Sequence, residues 1–227
     1  MAEPALFILA GYLWGSFPTA YVVARVLRGV DIRTHGSGNV GASNLTEVAG
    51  WRVGLAIGVF DCAVKGTLPV VASGLADQSL TVQAGVGLAA IAGHNWSPFI
   101  KFTGGRGVAT GIGVYLGFFM WQELLVAGMV WLVGRQLRRD SAFWTFVLLF
   151  LIPVIAYSVF ERQSEVVLMS VGIIVLLIFK RLTANWALPE GEFSWVRLLA
   201  YRFLWDRDVS RKEAWVERRP QSADGAS

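Results

Sequence analysis

The chain has 227 residues, of which 55% are apolar and only 16% charged, against about 25% charged in ordinary soluble domains. Its one cysteine, Cys62, and its two histidines exclude a disulfide framework and every multi-cysteine metal site. The formal charge of +4 fits Lys and Arg gathered on the cytoplasmic side of a membrane better than it fits a nucleic-acid surface.

The first stretch, Pro4 to Ala24, runs 21 residues without a charge, and about 20 suffice to cross a hydrocarbon core. Glu3 precedes it where a secretory signal would carry positive charge, so the stretch is expected to stay as a helix. Similar runs follow at 53–74, 78–93, 107–122, 124–134, 141–160 and 166–179. They are rich in Gly, Ala, Val and Leu and lack period-2 alternation, which predicts helices and not barrel strands. The pair between Gly107 and Gly134 is interrupted only by Trp121, Gln122 and Glu123. It reads as one long tilted helix or as a tight helical hairpin.

Charge decides between the two. With seven spans and the N-terminus outside, 18 of the 20 Lys and Arg fall on the inner side, as the positive-inside bias requires. Merging the pair would send three arginines and the tail outside. The expectation is an all-α polytopic protein with seven transmembrane helices over 1–186, followed by a cytoplasmic amphipathic tail over 187–227. In that tail Trp195, Val196, Leu199, Phe203 and Leu204 recur at roughly helical spacing, which predicts an interfacial helix. Residues 219–227 read as a disordered end.

Three polar places project to the inner side. The first runs from Asp31 to Asn44 and sets Gly36, Gly38 and Gly41 among Ser37, Asn39, Ser43 and Asn44. Glycines let the backbone approach a ligand, and hydroxyls and amides supply short hydrogen bonds; Arg33 and His35 add positive charge. A flexible turn with a helix cap at Asn44 explains the same residues equally well. The second runs from Gly93 to Thr110, where Gly104, Gly105 and Gly107 surround Arg106 just before an apolar helix. Backbone N–H groups at such a junction can hold a phosphate. Arg follows Gly105 with no Ser or Thr directly after it, so this is no Walker A loop and nucleotide binding is not implied. The third is Asp61 and Lys65, four apart on one helix face, which reads first as a structural ion pair. His94 opens the second loop and reads as a base, a phosphate ligand or a plain hydrogen-bonding residue.

Taken in this order, the motifs resemble the acyl-phosphate-dependent glycerol-3-phosphate acyltransferases of bacteria, the PlsY family. The likeness begins with GYLWGSFP at 11–18 and continues through GSGNVGASN at 36–44 and DCAVKGTLP at 61–69. It then takes in GHNWSPFIKFTGGRGVAT at 93–110. The resemblance implies a seven-helix protein of the bacterial inner membrane with its active site at the cytoplasmic face. It implies transfer of a fatty acyl group from acyl phosphate to the sn-1 hydroxyl of glycerol 3-phosphate, giving lysophosphatidic acid, with no cofactor and no metal. It also implies that Gly104, Gly105, Arg106 and Gly107 hold a phosphate, and that Ser37, Asn39 and Asn44 orient acceptor and carbonyl. Either His94 or a substrate phosphate oxygen would take the proton. Arg33, Gly38, Lys65, Lys101, Ser141 and Arg181 complete the expected substrate contacts, with Ser141 standing where the family carries another Ser in a short inner loop.

Two positions depart from the family pattern. Glu47 stands where the first motif usually carries Arg, and Val175 and Ile178 stand where the third motif carries His and Asn before the Arg181–Leu182 pair. The acceptor side is therefore expected to differ more than the donor side. A paralogue with another phosphorylated acceptor, a non-catalytic lipid- or acyl-phosphate-binding protein, and a small transporter using Asp61 and Lys65 are the alternatives.

Overall fold

The structure, a computed structural model, describes residues 2–186, 188–189 and 192–209. Among the described residues, eleven α-helices are joined by short loops. The first rod is α1 (Ala2–Gly15) and α2 (Thr19–Arg28), separated at Pro18, which lacks the N–H needed to continue a helix. Next, α3 (Ala42–Ala49) turns at Gly50 into α4 (Trp51–Phe60). That helix continues through a π-helical stretch, Asp61–Thr67, into α5 (Leu68–Leu75). Pro69 explains the widened turn. It has no N–H to close onto the Lys65 carbonyl and its ring crowds that carbonyl, and the Leu68 N–H reaches back five residues to Ala63.

α6 (Leu80–Asn95), α7 (Val108–Gly117) and α8 (Trp121–Leu137) follow. α7 lies so close to the π stretch that a Cβ on Gly113 would come within 1.9 Å of the Cys62 carbonyl oxygen. The 107–134 region is two helices, α7 and α8, and not one continuous helix. Phe119, at φ +56°, closes α7 with N–H bonds from Met120 to Tyr115 and from Phe119 to Leu116, both 2.9 Å, in the manner of a Schellman turn. The expected 107–122 run is thus shorter as a helix, because Phe118–Met120 reverse the chain; hydropathy registers their apolarity but not the turn.

α9 (Ser141–Ser158) starts at Asp140, whose carboxylate caps the Ala142 and Phe143 N–H groups at 3.1 and 3.2 Å. α10 (Ser164–Thr183) ends in a left-handed turn at Ala184–Trp186. The last helix among the described residues, α11 (Trp195–Trp205), lies across α9 and α10. It docks through buried Leu198 and Arg202 and through Phe203, whose ring centroid is 4.8 Å from that of Phe146. Trp195, Val196 and Leu199 stay exposed. The expected disordered end at 219–227 lies outside the described residues.

Leu6, Leu9, Leu55, Val59, Leu132 and Leu168 are among many large apolar side chains on the outer surface. Such a belt marks a protein embedded in lipid. Four helical stretches are long and apolar enough to cross a membrane: Glu3–Arg28, Trp51–Leu75, Ser141–Ser158 and Ser164–Trp186. The other three rods are shorter, and α7, at 10 residues, reaches only about 15 Å. The main core lies between α5 and α10 around Val70, Ile91, Val114 and Ile173. A smaller core of Ala20, Ala24, Ile32, Val40, Leu45 and Ile100 anchors the first polar loop.

Candidate active site

The first loop is organised from its end. Asn44, only 2% exposed, donates its amide N–H groups to the carbonyls of Ile32, His35 and Asn39 at 3.1, 2.9 and 3.0 Å. Its amide oxygen accepts the Ser37 N–H at 3.1 Å. This residue thus builds the loop that presents Ser37 and Asn39. Behind the loop, Arg33 binds the Asp31 carboxylate through two contacts of 3.0 and 2.7 Å. That pairing holds the Asp31 carboxyl down to about 2 and raises the affinity of Arg33 for its proton.

Below the loops lies a buried polar cluster. Asp61 accepts from Thr19 Oγ1 at 2.8 Å and pairs with Lys65 Nζ at 2.9 Å. His94 Nδ1 stands 3.9 Å from the second Asp61 oxygen and 3.5 Å from Lys65 Nζ. The π stretch aims both charged residues at the end of α6, where His94 sits.

The second loop is tied to everything around it. Gly105 donates its N–H to the His94 carbonyl at 3.0 Å, and a Cβ there would sit 2.0 Å from His94 Nε2; no other residue fits beside the imidazole. Gly104 exchanges two bonds with the Asn185 side chain, at 3.0 and 3.1 Å, and accepts the Val40 N–H at 3.3 Å. Asn185 in turn accepts from Lys180 at 2.6 Å, and Lys180 also donates to the Asn95 carbonyl. The Gly104 and Gly105 N–H groups are therefore committed to protein partners. Arg106 and Gly107, at the start of α7, are what this loop gives the cavity.

That cavity is about 420 Å³. The structure brings Ser37, Asn39, Asn44, His94, Arg106, Gly107, Ser141 and Arg181 to its wall. Asn39 Oδ1 is buried without a protein partner, so it is available to a hydroxyl donor. Arg33, Gly38, Lys65, Lys101, Gly104 and Gly105 lie outside the lining, and Lys101 is exposed. Glu47 does line the cavity, whereas Val175 is 61% exposed on the outer face of α10. The first departure thus alters the site and the second is remote from it.

Among the lining residues missed by sequence reasoning are Asp140, Trp205, Asp206 and Arg207. Arg106 pairs with Asp206, Arg207 reaches Asp140 at 2.8 Å, and Arg181 donates to the carbonyls of Phe203 and Ala142 at 3.2 and 3.1 Å. The only signal was the run of alternating Arg and Asp at 206–208 directly after the tail helix.

Residues 5–187 match the family model described as glycerol-3-phosphate acyltransferase. The chain belongs to that family. A glycerol-3-phosphate acyltransferase 5 of Dehalococcoides mccartyi is 36% identical, over 96% of this chain and 95% of its own length. The glycerol-3-phosphate acyltransferase of Myxococcus xanthus is 48% identical over 60% of this chain and 70% of its own. Among solved structures, PlsY, an integral membrane glycerol 3-phosphate acyltransferase in its glycerol 3-phosphate form, superposes with a TM-score of 0.71 at 29% identity. The match covers 79% of this chain and 88% of PlsY. In this glycerol-3-phosphate acyltransferase family member the two glycine-rich loops share one cavity, and α11 with the residues after it, beyond the end of the family match at 187, forms part of the cavity wall.

Proposed function

We propose that this membrane glycerol-3-phosphate acyltransferase moves a fatty acyl group from acyl phosphate to the sn-1 hydroxyl of glycerol 3-phosphate, giving lysophosphatidic acid. The reaction runs at the cytoplasmic face of a bacterial cell membrane, in a seven-span protein with its N-terminus outside. One observation carries the reading: two loops far apart in sequence, 36–44 and 104–107, are bonded to each other through Val40 and Gly104 and open on one cavity.

Acyl phosphate is a mixed anhydride with a good leaving group, so the enzyme needs no nucleophile of its own. The acceptor oxygen attacks the acyl carbonyl carbon, the bond from that carbon to the phosphate oxygen breaks, and phosphate leaves with the electron pair. Placing the two substrates side by side supplies much of the rate. The Ser37 hydroxyl is positioned to stabilise the carbonyl oxygen as charge develops on it. Asn39 Oδ1 accepts from the attacking hydroxyl and orients it. Arg106 and the start of α7 hold the leaving phosphate. Both ring nitrogens of His94 face protein groups, Asp61 and Lys65 on one side and Gly105 on the other. This favours a substrate phosphate oxygen as the proton acceptor, with His94 as wall.

The deciding experiment supplies palmitoyl phosphate and glycerol 3-phosphate to the purified, detergent-solubilised protein and reads lysophosphatidic acid. Product should form and should fall about 100- to 1000-fold in Ser37→Ala, the loss of one oxyanion donor. A folded Ser37→Ala protein with full activity would refute the assignment of Ser37. The Glu47 carboxylate in the cavity favours a second reading, a different phosphorylated alcohol as acceptor. Acyl transfer to such an alcohol, with none to glycerol 3-phosphate, would establish it.

A further inference from the structure

We propose that Arg207 is this chain's ligand for the phosphate of the acceptor, delivered by a C-terminal helix outside the family match. The inference rests on the acyl-transfer reading above and names a binding residue for it. The family model ends at residue 187 and the PlsY match covers 79% of the chain. The Dehalococcoides relative is matched over 96% of it, a span that must include 195–209. The α11 segment is thus shared beyond this one chain, and it forms one wall of the cavity.

The segment is built to hold Arg207 in place. Arg202, 3% exposed, donates to the Leu182 carbonyl at 2.9 Å and pairs with Asp208 at 2.6 Å, which fixes the chain on both sides of position 207. Asp206 takes a left-handed conformation, φ +57°, and turns the chain inward after α11. Arg207 is then 8% exposed yet lines the cavity, with Nη2 on Asp140 and Nε on the Val209 carbonyl at 3.1 Å. Asp140 has a separate task, capping α9 through its other oxygen, so a phosphate that replaces it on Nη2 leaves that helix capped and the Arg207 Nε bond to the Val209 carbonyl in place.

The other cavity cations have different tasks. Arg106 belongs to the glycine loop and Arg181 braces α9 against α11 through two backbone carbonyls. Glu47 puts a negative charge on the first-loop side, where it repels a phosphate monoester. On the tail side of the lining Asp206 is paired with Arg106, and a phosphate that displaces Asp140 from Arg207 gains a planar, always-charged partner.

Titration calorimetry on the full chain in detergent tests this apart from turnover. Glycerol 3-phosphate should bind wild type, and Arg207→Ala should weaken it about 10- to 100-fold, the range for a hydrogen bond to a charged group. Palmitoyl phosphate affinity should stay within about twofold on the same basis. Arg207→Lys should recover part of the loss, and Asp140→Asn, which keeps the cap and the guanidinium, should bind glycerol 3-phosphate no more weakly than wild type. Absence of glycerol 3-phosphate binding by wild type, equal weakening of both ligands, or Asp140→Asn behaving like Arg207→Ala would each overturn the proposal. If Arg207→Ala does not fold, Arg207→Lys carries the comparison under the same criteria. Loss of product with binding intact would instead count against the acyl-transfer reading.

Discussion

Glu47 faces the cavity with a charge of the wrong sign for a phosphate ligand. Replacing it by Arg removes a repulsion and adds an attraction at one stroke. Glu47→Arg should therefore lower the KM for glycerol 3-phosphate about tenfold, the worth of roughly 1.4 kcal/mol, with little change in the KM for palmitoyl phosphate. An unchanged or higher KM in steady-state assays would place the acceptor elsewhere. Asp31 acts at the same scale but outside the membrane. Its folded carboxyl titrates near 2, below the ordinary 3.8, because Arg33 stabilises the anion. A carboxyl shifted in this direction stabilises the fold above pH about 4 and loses that contribution as the pH falls toward 2. Hydrogen-exchange protection across 31–44, taken relative to the intrinsic exchange rate at each pH, should fall over that window, and Asp31→Asn should leave it low and independent of pH. Protection that ignores pH in the wild type would disprove the link.

At the scale of elements, the π stretch matters more than its seven residues suggest. It carries Asp61 and Lys65 toward His94, all three buried, in a cluster whose charges balance only as a set. Asp61→Asn leaves a buried ammonium without its anion and should cost about 3–5 kcal/mol, read as a lower Tm in detergent. Asp61→Leu combined with Lys65→Met removes both charges and should cost much less than the single change. Equal Tm losses would show that the pair has no structural coupling. Here the sequence was informative: the i, i+4 spacing announced an ion pair, and the structure contains one. The widened turn was less legible, since Pro69 signals a break but not how the preceding carbonyls rearrange. The glycine loops illustrate the same limit. Their composition pointed to a ligand site, but composition does not say which N–H groups face inward, and Gly104 and Gly105 turn out to bind Asn185 and His94. Asn44 was read as a ligand or a cap and is the loop's internal brace, a role that depends on three carbonyls converging in space.

For the whole molecule, hydropathy located the four stretches long and apolar enough to cross a membrane, because burial in lipid selects apolar residues along a spanning helix. It overestimated the length of the 107–122 run because Phe118–Met120 are as apolar as the helix they end. The tail reads as an interfacial helix from its sequence, but an amphipathic stripe looks the same whether it rests on lipid or on protein, and α11 docks on protein through Leu198 and Arg202 while Trp195, Val196 and Leu199 stay exposed. The proposed seven-span arrangement makes a direct prediction. In a Cys62→Ser background, single cysteines placed at Gln78 and Gln163 should react with an impermeant maleimide from outside intact cells, and one at Arg139 only after the membrane is opened. Labelling of all three from the same side would reject that topology.

The order of synthesis gives the C-terminal wall a consequence in time. Trp205, Asp206 and Arg207 leave the ribosome after α1 to α10, so the bundle is already lodged in the bilayer while its cavity still lacks a side. A nascent chain is thereby an open groove, and the cavity gains its remaining side only when α11 and the residues just after it have emerged.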